Sequence, residues 1–157
     1  LGHLIGGGGW HRSEIIEAAV RHFNEWWFLG TMYTRHWMPT GVTWSKDHTD
    51  ITNQFVRVGV DGGLFTLILY VFLFVLCFSA LGNTLKSIRD DDKALKIIIW
   101  AAGVALFAHI VTFFSVRYFD QNILFFYMLI AIIAFLKHLY QKTPTDQPLA
   151  TTLRAEL

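Results

Sequence analysis

GGLFTLILYVFLFVLCFSALGNTL, residues 62–85, contains no charged side chain. At a rise of ~1.5 Å per residue it is long enough to cross a hydrocarbon core of ~30 Å as a helix. Two more uncharged runs follow, IIIWAAGVALFAHIVTFFSV over 97–116 and QNILFFYMLIAIIAFL over 121–136. The last is short, and flanking Phe119, Lys137 and Tyr140 extend it to the interfaces. The pattern predicts an all-α integral membrane protein: an outward amphipathic helix and loop, then three transmembrane helices over about 62–84, 97–116 and 119–138.

Composition points the same way. Hydrophobic residues make up 54% and aromatics 16%, and the mean hydropathy is +0.41; soluble domains use ~45–50% apolar residues. Net charge is +1, so no large field argues for nucleic acid and no such partner is expected. The only cysteine, Cys77, lies inside the first run. That excludes a disulfide within the chain and a cysteine-rich metal site, and leaves the redox compartment open. The chain opens on LGHLIGGGGW, with neither Met nor a signal-peptide pattern. It is expected to be the C-terminal part of a longer protein whose N-terminal transmembrane helices are its partners.

Orientation follows from Lys and Arg in the short loops. The segment KSIRDDDKALK carries Lys86, Arg89, Lys93 and Lys96, whereas RYFDQN carries Arg117 alone. After the third run come Lys137, Lys142 and Arg154. The basic side, with a mobile polar tail over 139–157, is assigned to the cytoplasm, leaving residues 1–61 and the 117–120 turn facing outward. The outward segment holds five basic residues of its own, Arg12, Arg21, Arg35, Lys46 and Arg57.

That segment also carries Trp10, Trp26, Trp27, Trp37 and Trp44, five of the six tryptophans. Tryptophan favours the membrane–water boundary because its ring is apolar while its N–H seeks a partner. Within SEIIEAAVRHFNEWWFL, residues 13–29, the positions Ile15, Ile16, Ala19, Val20, Phe23, Trp26 and Trp27 share one helical face. Ser13 is placed to cap that helix, with Glu14 and Glu17 suited to its positive end. Such a helix lies on the bilayer or on other helices of the same protein. Gly30, Pro39 and Gly41 make the turns that follow. Asp47 or Asp50 then caps a short helix over about 50–58, which ends at Gly59, Gly62 and Gly63, glycines that allow a bend and close helix approach.

Three chemistries compete for the polar groups in front of the first span. A metal site would draw on His11, His22, His36, His48 and nearby aspartates, but their spacing matches no established ligand pattern. A nucleophilic mechanism has no support, since Cys77 is in the membrane and no GxSxG occurs. The third is an anion site: arginine grips phosphate oxygens with a planar fork, and histidine exchanges protons near pH 7. Arg12, Arg35, Arg57, His36 and His48 are the available groups, with Asn53 as a further substrate contact. Arg57 can instead pair with Asp61 four residues on, and His48 can be an interfacial helix-start residue. His109 is polar at membrane depth and is expected to bond a neighbouring helix.

His48-Thr49, nine intervening residues, then Gly59-Val-Asp-Gly62 resembles the H-[NSQ]-x9-G-x-x-G motif of bacterial O-antigen ligases and polymerase-like membrane proteins. Upstream, GWHRSEIIEAAVRHFNEWWFLGT is similar to that family's basic residue opening an amphipathic helix, here Arg12, followed by a turn at Leu29-Gly30. The likeness covers roughly residues 9–82. Thr49 departs from Asn, Ser or Gln, Arg57 stands where many members carry an acid, and the prolines of the turn are missing. The resemblance implies a metal-independent transferase of the inner membrane with a periplasmic segment 1–61 and no cofactor. It would move a glycan from a polyprenyl diphosphate to a lipid A–core or glycan acceptor, with His48 as base and Arg12 stabilising the departing diphosphate. The rival expectation is a non-catalytic scaffold or transport subunit of the cell envelope. A channel is disfavoured, because the uncharged runs hold no acidic or basic side chain but His109, and no repeat is visible.

Overall fold

A computed structural model describes residues 9–38, 45–88, 92–119 and 121–142. Trp44, Pro39, Gly41, Arg89 and the 143–157 part of the tail, each invoked above, lie outside the described residues, as do the side chains of Trp10, His11 and Lys142. The regular elements are helices: α1 Gly9–Arg21, α2 Phe23–Trp26, a 3₁₀ turn Arg35–Trp37, α3 Gln54–Ser87, α4 Lys93–Phe113 and α5 Gln121–Lys142. Three of them, α3, α4 and α5, are long and apolar enough to cross a membrane. Their large apolar side chains point outward, with Phe65 68% exposed and Trp100 66% exposed. A surface of that kind is costly in water and ordinary in lipid, so the chain is a helical, multi-pass membrane protein. Two compact units divide it, Leu1–Leu73 with His109–Asp120, and Phe74–Ala108 with Gln121–Leu157.

In the second unit the helices meet through a sparse seam. On α3, Phe74, Cys77, Leu81 and Thr84 are buried, as is Ile88 just beyond it; α4 buries Ile99, Ala102 and Leu106, and α5 buries Phe126 and Ile133. Along α3 those positions alternate by three and four residues, the spacing that keeps one face of a helix against a neighbour. Hydroxyls on α3 are satisfied within the helix: Thr84 donates to Ala80 O at 2.8 Å and Ser87 to Asn83 O at 3.0 Å. Asp92 caps α4 by accepting from Leu95 N at 3.1 Å.

The first unit is built differently. Ile15, Ala18, Ala19, Trp26, Trp37, Met38, Ile51 and Val60 form its core, with Val56 against it. The amphipathic helix expected over 13–29 is instead two pieces, because the chain breaks at His22 (φ −98°, ψ 24°) and the second piece ends at Trp26. Of the face expected to be apolar, Ile15, Ala19 and Trp26 are buried, while Ile16, Val20, Phe23 and Trp27 stay exposed on either side of the break. The start also moves to Gly9, so Ser13 lies inside α1 rather than capping it, and Glu17 pairs with Arg21 at 3.1 Å.

The short helix expected over 50–58 and the first span are one helix, Gln54–Ser87, kinked at Gly63 (φ 82°, ψ 172°). The kink removes the bond that Leu64 N would make to Val60 O, and residues 27–31 take up both groups. Leu64 N donates to Trp27 O at 2.8 Å, and Thr31 N donates to Val60 O at 2.7 Å. A broken helix at membrane depth is tolerated when another segment satisfies the freed backbone in this way. Both glycines at the crossing have positive φ, and a side chain on Gly30 or Gly63 would strike the backbone of Asp61 or Phe28. Gly59 serves a second close approach, against the Trp26 ring.

Candidate functional site

Residues 45–53 reach α3 along a pinned path. Thr34 N and Arg35 N both donate to Asp47 O at 3.1 Å, Thr49 N donates to Thr34 Oγ1 at 3.1 Å, and Ser45 N donates to His48 O at 3.3 Å. Thr34, Thr49 and Ile51 are fully buried along it. Asn53, and not Asp47 or Asp50, then caps α3: its Oδ1 accepts from Val56 N at 3.0 Å. The same amide donates through Nδ2 to Phe114 O at 3.0 Å, and Gln54 Oε1 accepts from Tyr118 N at 3.0 Å. Two adjacent side chains therefore stitch the α4–α5 connection to the first turn of α3. Tyr118 also meets His109, with OH and Nδ1 2.8 Å apart.

That stitching puts Arg117 in the field of Arg57. Arg57 Nε donates to Asp61 Oδ2 at 2.6 Å, so the local ion pair forms, but its guanidinium is little exposed and Nη1 is buried without a hydrogen-bond partner among the described residues. His48 Nδ1 and Thr52 Oγ1 are in the same state. Burial lowers the Arg117 pKa from its usual range and Arg57 lowers it further, against the opposing pull of Asp61 and Asp50. A buried polar group without a partner costs about 1–3 kcal/mol, and more when charged, so such a collection calls for an explanation. Two guanidiniums and two carboxylates carry no net charge. An anion would be held here by hydrogen bonds from the guanidiniums, and not by a broad positive potential.

A second cluster of the same unit surrounds Glu25. Its carboxylate accepts from Trp37 Nε1 at 2.9 Å, His22 Nδ1 at 2.8 Å and His36 Nε2 at 2.9 Å. Burial acts to raise the Glu25 pKa, but the hydrogen bonds from Trp37, His36 and His22 outweigh it and hold the group at about 2. The rings are ordered: His22 stacks on Trp37 with centroids 5.5 Å apart, and His36 on Tyr33 at 5.6 Å.

The residues expected to form one site are thus divided. Asn53 and Arg57 lie at the start of α3, where both ends of the Asn53 amide are spent on backbone, and His48 lies in the segment before it, its carbonyl accepting from Ser45 N. His36 belongs to the Glu25 cluster, and Arg35 donates to Met38 O at 3.1 Å. Arg12 is exposed on α1 and makes no hydrogen bond or ion pair among the described residues. Gly63 alone bends α3, Gly59 admits the Trp26 ring, and Gly62 faces Thr66 of its own helix, which donates to Gly62 O at 2.6 Å. Sequence reasoning passed over Arg117 and Thr52 as site residues. The available signal was that Arg117 is the sole basic residue of RYFDQN, the stretch between the second and third uncharged runs. Of the histidines weighed as metal ligands, His22 and His36 come together, around a glutamate not considered for the role.

Compared with known proteins, the chain matches no family model, no curated protein and no solved structure. Function therefore rests on the class established by the helices and on the chemistry of these two clusters.

Proposed function

We propose that the chain belongs to a lipid-linked glycan transferase of the bacterial inner membrane, with residues 1–61 in the periplasm. The observation that carries this is that Arg57 Nη1, in the first turn of α3, and Thr52 Oγ1 and His48 Nδ1, in the segment leading into it, are buried without a hydrogen-bond partner among the described residues, with Arg117 in the field of Arg57. A polyprenyl diphosphate presents its charge at this depth, and a guanidinium already desolvated binds a phosphate oxygen without a further desolvation cost. In the transfer, an acceptor hydroxyl gives its proton to His48 as its oxygen bonds to the anomeric carbon of the lipid-linked glycan. The bond from that carbon to the diphosphate breaks, and the diphosphate leaves on its lipid. Arg57 and Arg117 take up the charge that develops on it, and the proton on His48 passes to water. Arg12 would join them only by a movement of α1, since its side chain lies in solvent.

The test is glycan transfer in cells carrying the full-length protein. His48→Ala and Arg57→Ala should each abolish transfer while membrane insertion stays intact. A scaffold role draws support from another observation, the exposed apolar run of Phe28, Leu29 and Met32, which would suit a docked partner or lipid. Under that role both variants keep wild-type transfer, and changes at Phe28 or Met32 instead release a co-purifying envelope protein.

A further inference from the structure

We infer that His22, Glu25 and His36 bind a divalent transition-metal ion of the zinc class, independently of the transfer chemistry proposed above. One ligand atom from each residue lies within 4.8 Å of the others. A tetrahedral zinc with bonds of ~2.0–2.1 Å sets its ligands about 3.4 Å apart. Glu25 Oε1 stands 2.8 Å from His22 Nδ1 and 3.1 Å from His36 Nε2, so both contacts need only open slightly to admit the ion between them. Their ring centroids are 5.1 Å apart with the planes at 84°, so the rings do not stack on each other, and both nitrogens share Glu25 Oε1 as a partner. Two imidazoles and a carboxylate favour zinc, copper, nickel or iron over magnesium or calcium, which prefer oxygen ligands throughout.

The surroundings are those of an oriented ligand set. Trp37 Nε1 holds the second carboxylate oxygen, and the flat stacking of His22 on Trp37 and of His36 on Tyr33 fixes both rings. No electron transfer is involved. To bind the ion, each coordinating nitrogen gives up the hydrogen it now donates to the carboxylate: from a neutral ring that hydrogen is exchanged through water to the other ring nitrogen, and from an imidazolium it is released to water. All three residues are partly exposed, which gives the ion a path in and leaves a coordination position for water. The consequence is structural: the ion ties α2 to the 3₁₀ turn across the sharp turn at Gly30, where neither element is long enough to be stable alone.

The experiment uses the whole chain in detergent micelles, stripped with a chelator and titrated with zinc(II) against a chromophoric competitor. One equivalent should bind, with His22→Gln and His36→Gln each weakening it at least about tenfold. His138→Gln, on α5, should leave binding unchanged. Cobalt(II) on the wild type gives a readout that needs no variant, an intense visible spectrum of a four- or five-coordinate ion. Helix content by circular dichroism separates lost binding from lost folding. The inference is overturned by the absence of stoichiometric uptake, by a weak six-coordinate cobalt spectrum, or by uptake that survives His22→Gln and His36→Gln in folded protein.

Discussion

Two glycines on one helix show how differently the two units are made. Gly63, in the first unit, has φ 82°, and an added Cβ would run into the Phe28 carbonyl; Gly82, in the second, has no atom within 4 Å of that position. The first unit is held by backbone groups exchanged between segments distant in sequence, so a single methyl group can break it. In the second, apolar faces meet along a three–four repeat with most of each helix surface left to lipid, and small changes have room. Hydrogen-bond insertion specifies one geometry, whereas lipid-facing packing tolerates many.

The largest effect should come from Gly63→Ala. Holding alanine at this φ costs about 1–3 kcal/mol before the clash is added, and relief would require residues 27–31 to leave the kink. Thermal unfolding in detergent should shift sharply downward, and protease should cut near 27–31; an unchanged melting curve would show that the segment is not inserted in the helix. Asn53→Ala comes next, removing a cap and the strut to Phe114 together, with an expected loss of about 1–3 kcal/mol. Asn53→Asp, which keeps the cap and loses the strut donor, should recover part of that loss.

A smaller effect concerns pH in the metal-free chain. The Glu25 pKa is lowered from 4.5 to about 2 on folding, so its contribution is complete above pH 4.5 and declines as pH falls toward 2. The side chain is partly exposed, which keeps the contribution modest. Tryptophan fluorescence during acid unfolding should show the dependence, and Glu25→Gln should flatten it. The smallest effect is Gly82→Ala, neutral or stabilising by up to ~1 kcal/mol from helix propensity alone. Marked destabilisation there would mean that the open face of α3 is covered.

The contrast also separates what the sequence makes legible from what it does not. The spans follow from long uncharged runs, but which positions of α3 are buried does not, because that run is apolar on every side. His109 and Asp61 showed their local logic, one polar at membrane depth and the other four residues from Arg57. The break at His22 was hidden, since apolar residues continue through it in phase for a while. Equally hidden were the Asn53–Phe114 and Gln54–Tyr118 bonds, which join residues more than sixty apart, and with them the approach of Arg117 to Arg57. His22, Glu25 and His36 meet only because Gly30 reverses the chain, so their spacing resembles no local ligand pattern.

The proposed function turns on whether the start of α3 holds a diphosphate through the guanidiniums of Arg57 and Arg117. Binding of a short-chain polyprenyl diphosphate to the full chain in nanodiscs tests it most directly, comparing wild type with Arg57→Lys, Arg57→Gln and Arg117→Gln. Saturable, salt-sensitive binding is predicted, weakened at least about tenfold in both glutamine variants and also weakened in Arg57→Lys, since lysine keeps the charge and loses the fork. Equal affinity in all four proteins, with Arg21→Gln as an exposed control, would contradict it.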